Sequence, residues 1–260
     1  MPEAMVLLAQ RDFATNKKSA FSWYRQAAEA GSEEAMLKTA LMLSNGEGTE
    51  RDAVEIVRWL ERASDLGSTE AQVALADALM NGSDGVEVDY ERAVVLLERA
   101  VSDTNARAMD MLGTCAYRGW GMPQDFKRAH SLYMRAIDLG FAGSYSNLGV
   151  MMIRGEGVEK QDPVGAVELW RTGSELGVTA AMVNYGKALF SGLGVAKDVV
   201  QAKDLFAQAA AAGDPDAVAL CTQFLHDREA VPDRQHAIDD KDVVAAGLGH
   251  VLPGRAVMRE

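Results

Sequence analysis

Four histidines, two cysteines and thirty-eight acids are the groups through which this chain could do chemistry. The histidines, His130, His226, His236 and His250, are scattered, and no two share the spacing that sets metal ligands on one helix face. No serine nucleophile elbow, Cys/His couple or phosphate loop is present. Asp239, Asp240 and Asp242 cluster but lack the glycine and terminal glutamate of a calcium loop. The turn GEGVEK at Gly155 has the glycines of a nucleotide loop, yet it recurs along the chain between helices rather than between strand and helix. These residues predict no catalytic centre, no metal and no cofactor. What they leave is recognition: Arg118 and Arg154 could hold a carboxylate or acidic stretch, and Trp120 is a candidate anchor.

The elements that would position those residues come from a repeat. Starting points at Ala35, Ala71, Ala108, Ser144, Ala181 and Ala217 lie 36 or 37 residues apart. In each of the first five units a small residue stands five positions on, at Ala40, Ala76, Gly113, Gly149 and Gly186. A glycine follows eleven positions after the start (Gly46, Gly82, Gly119, Gly155, Gly192), then a second (Gly48, Gly85, Gly121, Gly157, Gly194). An aspartate comes next: Asp52, Asp89, Asp125, Asp162, Asp198. Large apolar pairs such as Trp59-Leu60 and Leu169-Trp170 close the unit, with a small residue behind them. Small residues facing large ones at helical spacing let helices nest. The aspartate is placed to cap the second helix of each pair, and Gly67, Gly140, Gly177 and Gly213 to end it in the left-handed conformation, with Thr104 the departure.

Stretches such as AMDMLGTCAYRGWGMPQDFKRAHSLYMRAIDLG resemble Sel-one-like repeats, relatives of the tetratricopeptide repeat. The resemblance covers about residues 4–226. It implies an all-α, right-handed superhelix of antiparallel helix pairs and a scaffold or adaptor role. The organisation expected is a degenerate repeat at 1–34, five full repeats and a closing helix at 35–226, and a tail at 227–260 that is partly disordered or capping. Some relatives are cysteine-rich, and a lactam-binding or hydrolytic activity has been suggested for them, an alternative for which this chain offers no nucleophile and base. A structural part of a larger assembly, joined through the array ends, is the other alternative. Cys115 and Cys221 stand three units apart, roughly 30 Å at about 10 Å per helix layer, so they are read as packing residues in a reducing compartment.

In such arrays the first helices line the concave side. Positions two, six and nine after each start then face a groove, and position nine holds Met80, Tyr117, Ile153 and Phe190. The expected protein-binding groove comprises Leu37, Leu41, Val73, Met80, Tyr117, Arg118, Trp120, Ile153, Arg154 and Phe190. Its occupant would be a peptide or helix of a protein partner. A formal charge of −12 opposes contact with nucleic acid. The start MPEAMVLLAQRD lacks the basic region of a signal peptide and the length of a membrane span, so a cytoplasmic location is expected.

Overall fold

A computed structural model describes residues 1–82, 85–102 and 104–229, with side chains to residue 222. The expected tail lies outside the described residues from 230 onward. Within them every regular element is a helix: thirteen in all. The first six are α1 (Pro2–Phe13), α2 (Lys17–Glu29), α3 (Glu33–Asn45), α4 (Ala53–Asp65), α5 (Thr69–Asn81) and α6 (Tyr90–Ser102). Then follow α7 (Ala106–Arg118), α8 (Phe126–Asp138), α9 (Ser144–Arg154), α10 (Pro163–Glu175), α11 (Thr179–Ser191), α12 (Val199–Ala211) and α13 (Pro215–Glu229). The chain forms two compact units, one of residues 1–115 and 119–123, the other of 116–118 and the residues from Gln124 onward. In the first, neighbouring helices from α1 through α6 pack on one another in sequence order; in the second, those from α8 through α13 do the same. The fold is a helical repeat solenoid.

The aspartates do what their spacing predicts. Asp52, Asp89, Asp125, Asp162 and Asp198 each accept a hydrogen bond at 2.9 Å from the backbone amide three residues on, so each satisfies a first-turn donor of a second helix. Asn16 does the same for α2. The first helices have caps that the repeat pattern did not single out: Ser32, Ser68 and Asn105 for α3, α5 and α7. At the far ends Gly67, Gly140, Gly177 and Gly213 take positive φ, and Thr104 adopts the same left-handed turn at φ 61°. The second glycine of the turn has a further duty. A Cβ on Gly121 would stand 2.2 Å from the Tyr90 carbonyl oxygen, and one on Gly48 would stand 2.2 Å from that of Lys17. These two turns, and likewise those at Gly157 and Gly194, therefore lie against the backbone that opens the preceding second helix, a contact open to glycine alone.

Small positions seat large rings. A Cβ on Gly149 would come within 2.4 Å of the Trp170 indole nitrogen, and one on Gly186 within 2.6 Å of the Phe206 ring. Both rings are fully buried, and Trp170 donates its indole N–H to the Ser146 carbonyl at 3.1 Å. The core of the second unit gathers around them, with Val150, Val167, Tyr185, Leu189 and Leu205. Ring and glycine are one packing device, and adding a methyl to the glycine overfills it.

Candidate protein-binding cleft

In the first unit, α3, α4 and α5 enclose a cleft of about 490 Å³. Leu37 and Leu41 on α3 form one side, and Ile56, Val57 and Leu60 on α4 form its apolar base. Alanines at 40, 53, 74 and 78 leave the room that larger side chains would fill. Leu41 is 51% exposed, an apolar side chain with nothing of the described chain to cover it. Around the rim stand Glu34, Lys38, Ser44, Arg51, Glu70, Asp77, Asn81 and Arg107. Asp77 is held from two sides: Arg107 Nη2 donates to Oδ2 at 3.1 Å and Asn81 Nδ2 to Oδ1 at 3.0 Å. Gln10 Nε2 donates to Glu34 at 3.3 Å. An apolar base with a charged, hydrogen-bonding rim is the arrangement that takes an apolar side chain of a partner and orients the polar chain around it.

The cleft keeps the repeat register. Leu37 stands at position two, Leu41 and Asp77 at position six, and Ser44 at position nine. Glu34, Glu70 and Arg107 all occupy the position just before a repeat start, outside the positions two, six and nine expected to face the groove. Extending the register by one residue would have found them. The α4 contribution could not be found that way, because second helices are read as outer elements.

Of the ten residues expected to form a groove, Leu37 and Leu41 line this cleft. Four others need correction. Val73, Met80, Tyr117 and Ile153 are buried, so they cannot offer the apolar contact surface expected of them. At Met80, Tyr117 and Ile153 position nine packs inward, whereas Ser44 at the same position is exposed. Met80 lies in the core with its sulfur 3.9 Å from the Cys115 thiol, and Cys115, fully buried as expected, has its pKa pushed up to about 12 by that burial. Ile153 joins the second unit's core. Tyr117 tilts against Phe126 with ring centroids 5.4 Å apart.

The arginines at position ten also have internal duties. Tyr117 donates its hydroxyl proton to Glu156 Oε2 at 2.6 Å and accepts from Arg154 Nη1 at 2.6 Å. Burial, then the hydrogen bond to Glu156, raises the phenol pKa to about 12. Arg154 is thus committed to a phenol and a carboxylate of its own unit. Arg118 is half-buried and engaged. Trp120 stacks on Tyr90 at 4.8 Å between centroids and 17° between planes, in the first unit. Phe190 packs at the edge of the second unit's core, with the Lys197 ammonium 5.5 Å from its ring centre. The ten residues therefore fall into both units.

Among the described residues no group of three or more acids, histidines or cysteines could hold a metal ion, and no helix is long and apolar enough to cross a membrane. His130 on α8 has its pKa lowered by burial alone.

The chain is similar to solved helical-repeat proteins. One is c5321, described as a protective antigen of uropathogenic Escherichia coli with an SLR fold: 27% identity over 94% of this chain, with a TM-score of 0.70. This chain spans 53% of the length of that protein. A Sel1 repeat protein from Oxalobacter formigenes has 21% identity, covers 94% of this chain and 96% of its own, and gives a TM-score of 0.74. A putative sel1 repeat protein from Klebsiella pneumoniae has 21% identity over 78% of this chain and 98% of its own, at a TM-score of 0.53. Among curated proteins none matches. The Sel1 repeat family model matches residues 2–32, 33–68, 69–105, 106–141, 142–178 and 179–214, and the chain belongs to the Sel1 repeat family.

Proposed function

We propose that this chain is a protein-interaction scaffold or adaptor that receives a peptide or short helix of another protein in the cleft between α3, α4 and α5. Sel1 repeats generally mediate protein–protein interaction, which supports the class of activity. The single observation that favours this surface is Leu41, half exposed over an apolar base that has room for a side chain. The partner presents an apolar residue to Leu37, Leu41, Ile56 and Val57, and polar groups to the rim. It works without cofactor or metal, as a non-catalytic module, in a reducing cytoplasmic setting and without nucleic acid or membrane.

A displayed peptide library selected on the intact protein provides the probe. Burying a leucine contributes about 1.5–3 kcal/mol, so Leu41→Asp should weaken a selected peptide at least about tenfold with helicity unchanged. Peptides that bind the variant as tightly as the parent would place recognition elsewhere.

A further inference from the structure

The charges around the cleft between α3, α4 and α5 are sorted along its length. Glu34 and Glu70 stand in the first turns of α3 and α5, at the same place in their repeats, so the two carboxylates flank one mouth. Ser44 and Asn81, in the last turns of the same helices, mark the other mouth, where Arg51 enters just ahead of α4. Lys38 lies between the two ends, one turn beyond Glu34 and three residues short of Leu41. Asp77 and Arg107 are taken up with each other at 3.1 Å. Among the described residues Lys38, Arg51 and Glu70 form no ion pair, and Glu34 accepts from the uncharged Gln10 amide. All four of these charged residues are exposed. A first-turn glutamate also favours its own helix, but a cation beside a helix N-terminus does not, so α4 gives no reason for Arg51.

The size of the cleft sets the form of its occupant. From Glu34 to Ser44 is ten residues of helix, roughly 15 Å. A partner helix of that length and about 10 Å across would fill roughly 1,200 Å³, more than twice the 490 Å³ of the cleft. An extended chain lowers only every second side chain into it, at intervals of roughly 7 Å, so three such side chains match the length. We propose that the occupant is an extended peptide segment of the pattern basic–x–apolar–x–acidic, where x is any residue. Its basic side chain lies between Glu34 and Glu70, its apolar side chain on Leu37, Leu41, Ile56 and Val57, and its carboxylate at Arg51 with Lys38 beside it. This rests on the cleft being the partner site and adds what the partner presents and how it lies. The apolar contact holds the segment, and the charged mouths fix its direction, since a reversed segment sets like charge against like at both ends.

A displayed library with five consecutive randomised positions, selected on the intact protein and on the variants Glu34→Lys/Glu70→Lys and Arg51→Glu, tests this. The parent should enrich Lys or Arg two positions to one side of an apolar residue and Asp or Glu two positions to the other. Arg51→Glu should exchange the acidic preference for a basic one, and Glu34→Lys/Glu70→Lys should invert the basic one, with the apolar preference kept in both. A synthetic peptide of the enriched sequence should lose about fivefold in affinity when one mouth is reversed, and regain it when the facing peptide residue is reversed too, with helicity unchanged. Apolar enrichment without charge preference, or the same charge preference on all three proteins, would overturn the proposal while leaving the cleft as the partner site. Basic and apolar residues enriched four apart would overturn it in favour of a helix. Peptides that Leu41→Asp does not weaken would remove the cleft itself, and a selection that enriches nothing would overturn both readings.

Discussion

Leu41 and Val150 occupy the same place in their repeats, yet one stands half in solvent and the other is sealed. Both are apolar, so residue type does not separate them. Their surroundings do. In the first unit the neighbouring residues on α5 are Ala74 and Ala78, with Asp77 drawn to Arg107, and a cleft remains. In the second, α9 and α11 touch, Ser146 and Asn184 join across the contact, and the wall is shut. One register thus serves two ends: a surface left open and a surface that packs. The lesson is that a repeat fixes which way a side chain points, while the spacing of neighbouring helices decides whether anything can reach it.

The largest effect expected is on the closed side. Trp170→Ala removes the ring seated over Gly149 and should cost about 3–5 kcal/mol in denaturant unfolding; a loss below about 1 kcal/mol would mean the closed wall does not depend on that packing. Next comes the matched pair at position six. Val150→Ala should cost about 2 kcal/mol, and Leu41→Ala should stay within about 0.5 kcal/mol, because only the first deletes buried methyls. Equal costs would erase the contrast between the two walls.

Tyr117 sharpens the comparison through pH. Its phenol is raised from 10.0 to about 12 in the folded state. The unfolded chain therefore loses this proton first, and the stabilisation it carries is complete below pH 10 and fades as pH climbs through about 12. Tyr117→Phe should cost about 1–2 kcal/mol at neutral pH, by leaving Arg154 and Glu156 without their shared partner, and should flatten that alkaline decline. A decline of unchanged steepness in the variant would assign it to other groups, such as Tyr24 and Tyr185, whose pKa values burial also raises. Smallest, Asp52→Ala and Asp162→Ala should each cost about 1 kcal/mol, since both carboxylates make the same cap at 2.9 Å. Thermal or denaturant unfolding that separates them widely would show that the two units use the motif differently.

Much of the fold is legible in the residues. The recurrent aspartates, the paired glycines and the small-facing-large positions each impose a local geometry that tertiary context does not overrule. The site is less legible. Position nine carries Met80, Tyr117 and Ile153, large residues that the repeat pattern does not demand, and they read as surface; the structure spends them on the core. Tyr117 is instructive, because its hydroxyl finds Glu156 and Arg154 thirty-seven or more residues away, a partnership that no within-repeat pattern encodes. The cleft rim was missed for a simpler reason. Glu34, Glu70 and Arg107 precede the repeat start, and Ile56 and Val57 belong to the helix assumed to face outward.

The proposed scaffold function requires that a partner sit in the first unit's cleft. Placing a photo-cross-linking residue at position 41, and separately at the equally exposed Leu66 at the end of α4, tests this in the presence of a selected peptide. Adducts from position 41 that carry the peptide's apolar residue, with none from position 66, are the predicted result. Cross-links of equal yield from both positions, or from position 66 alone, would contradict it.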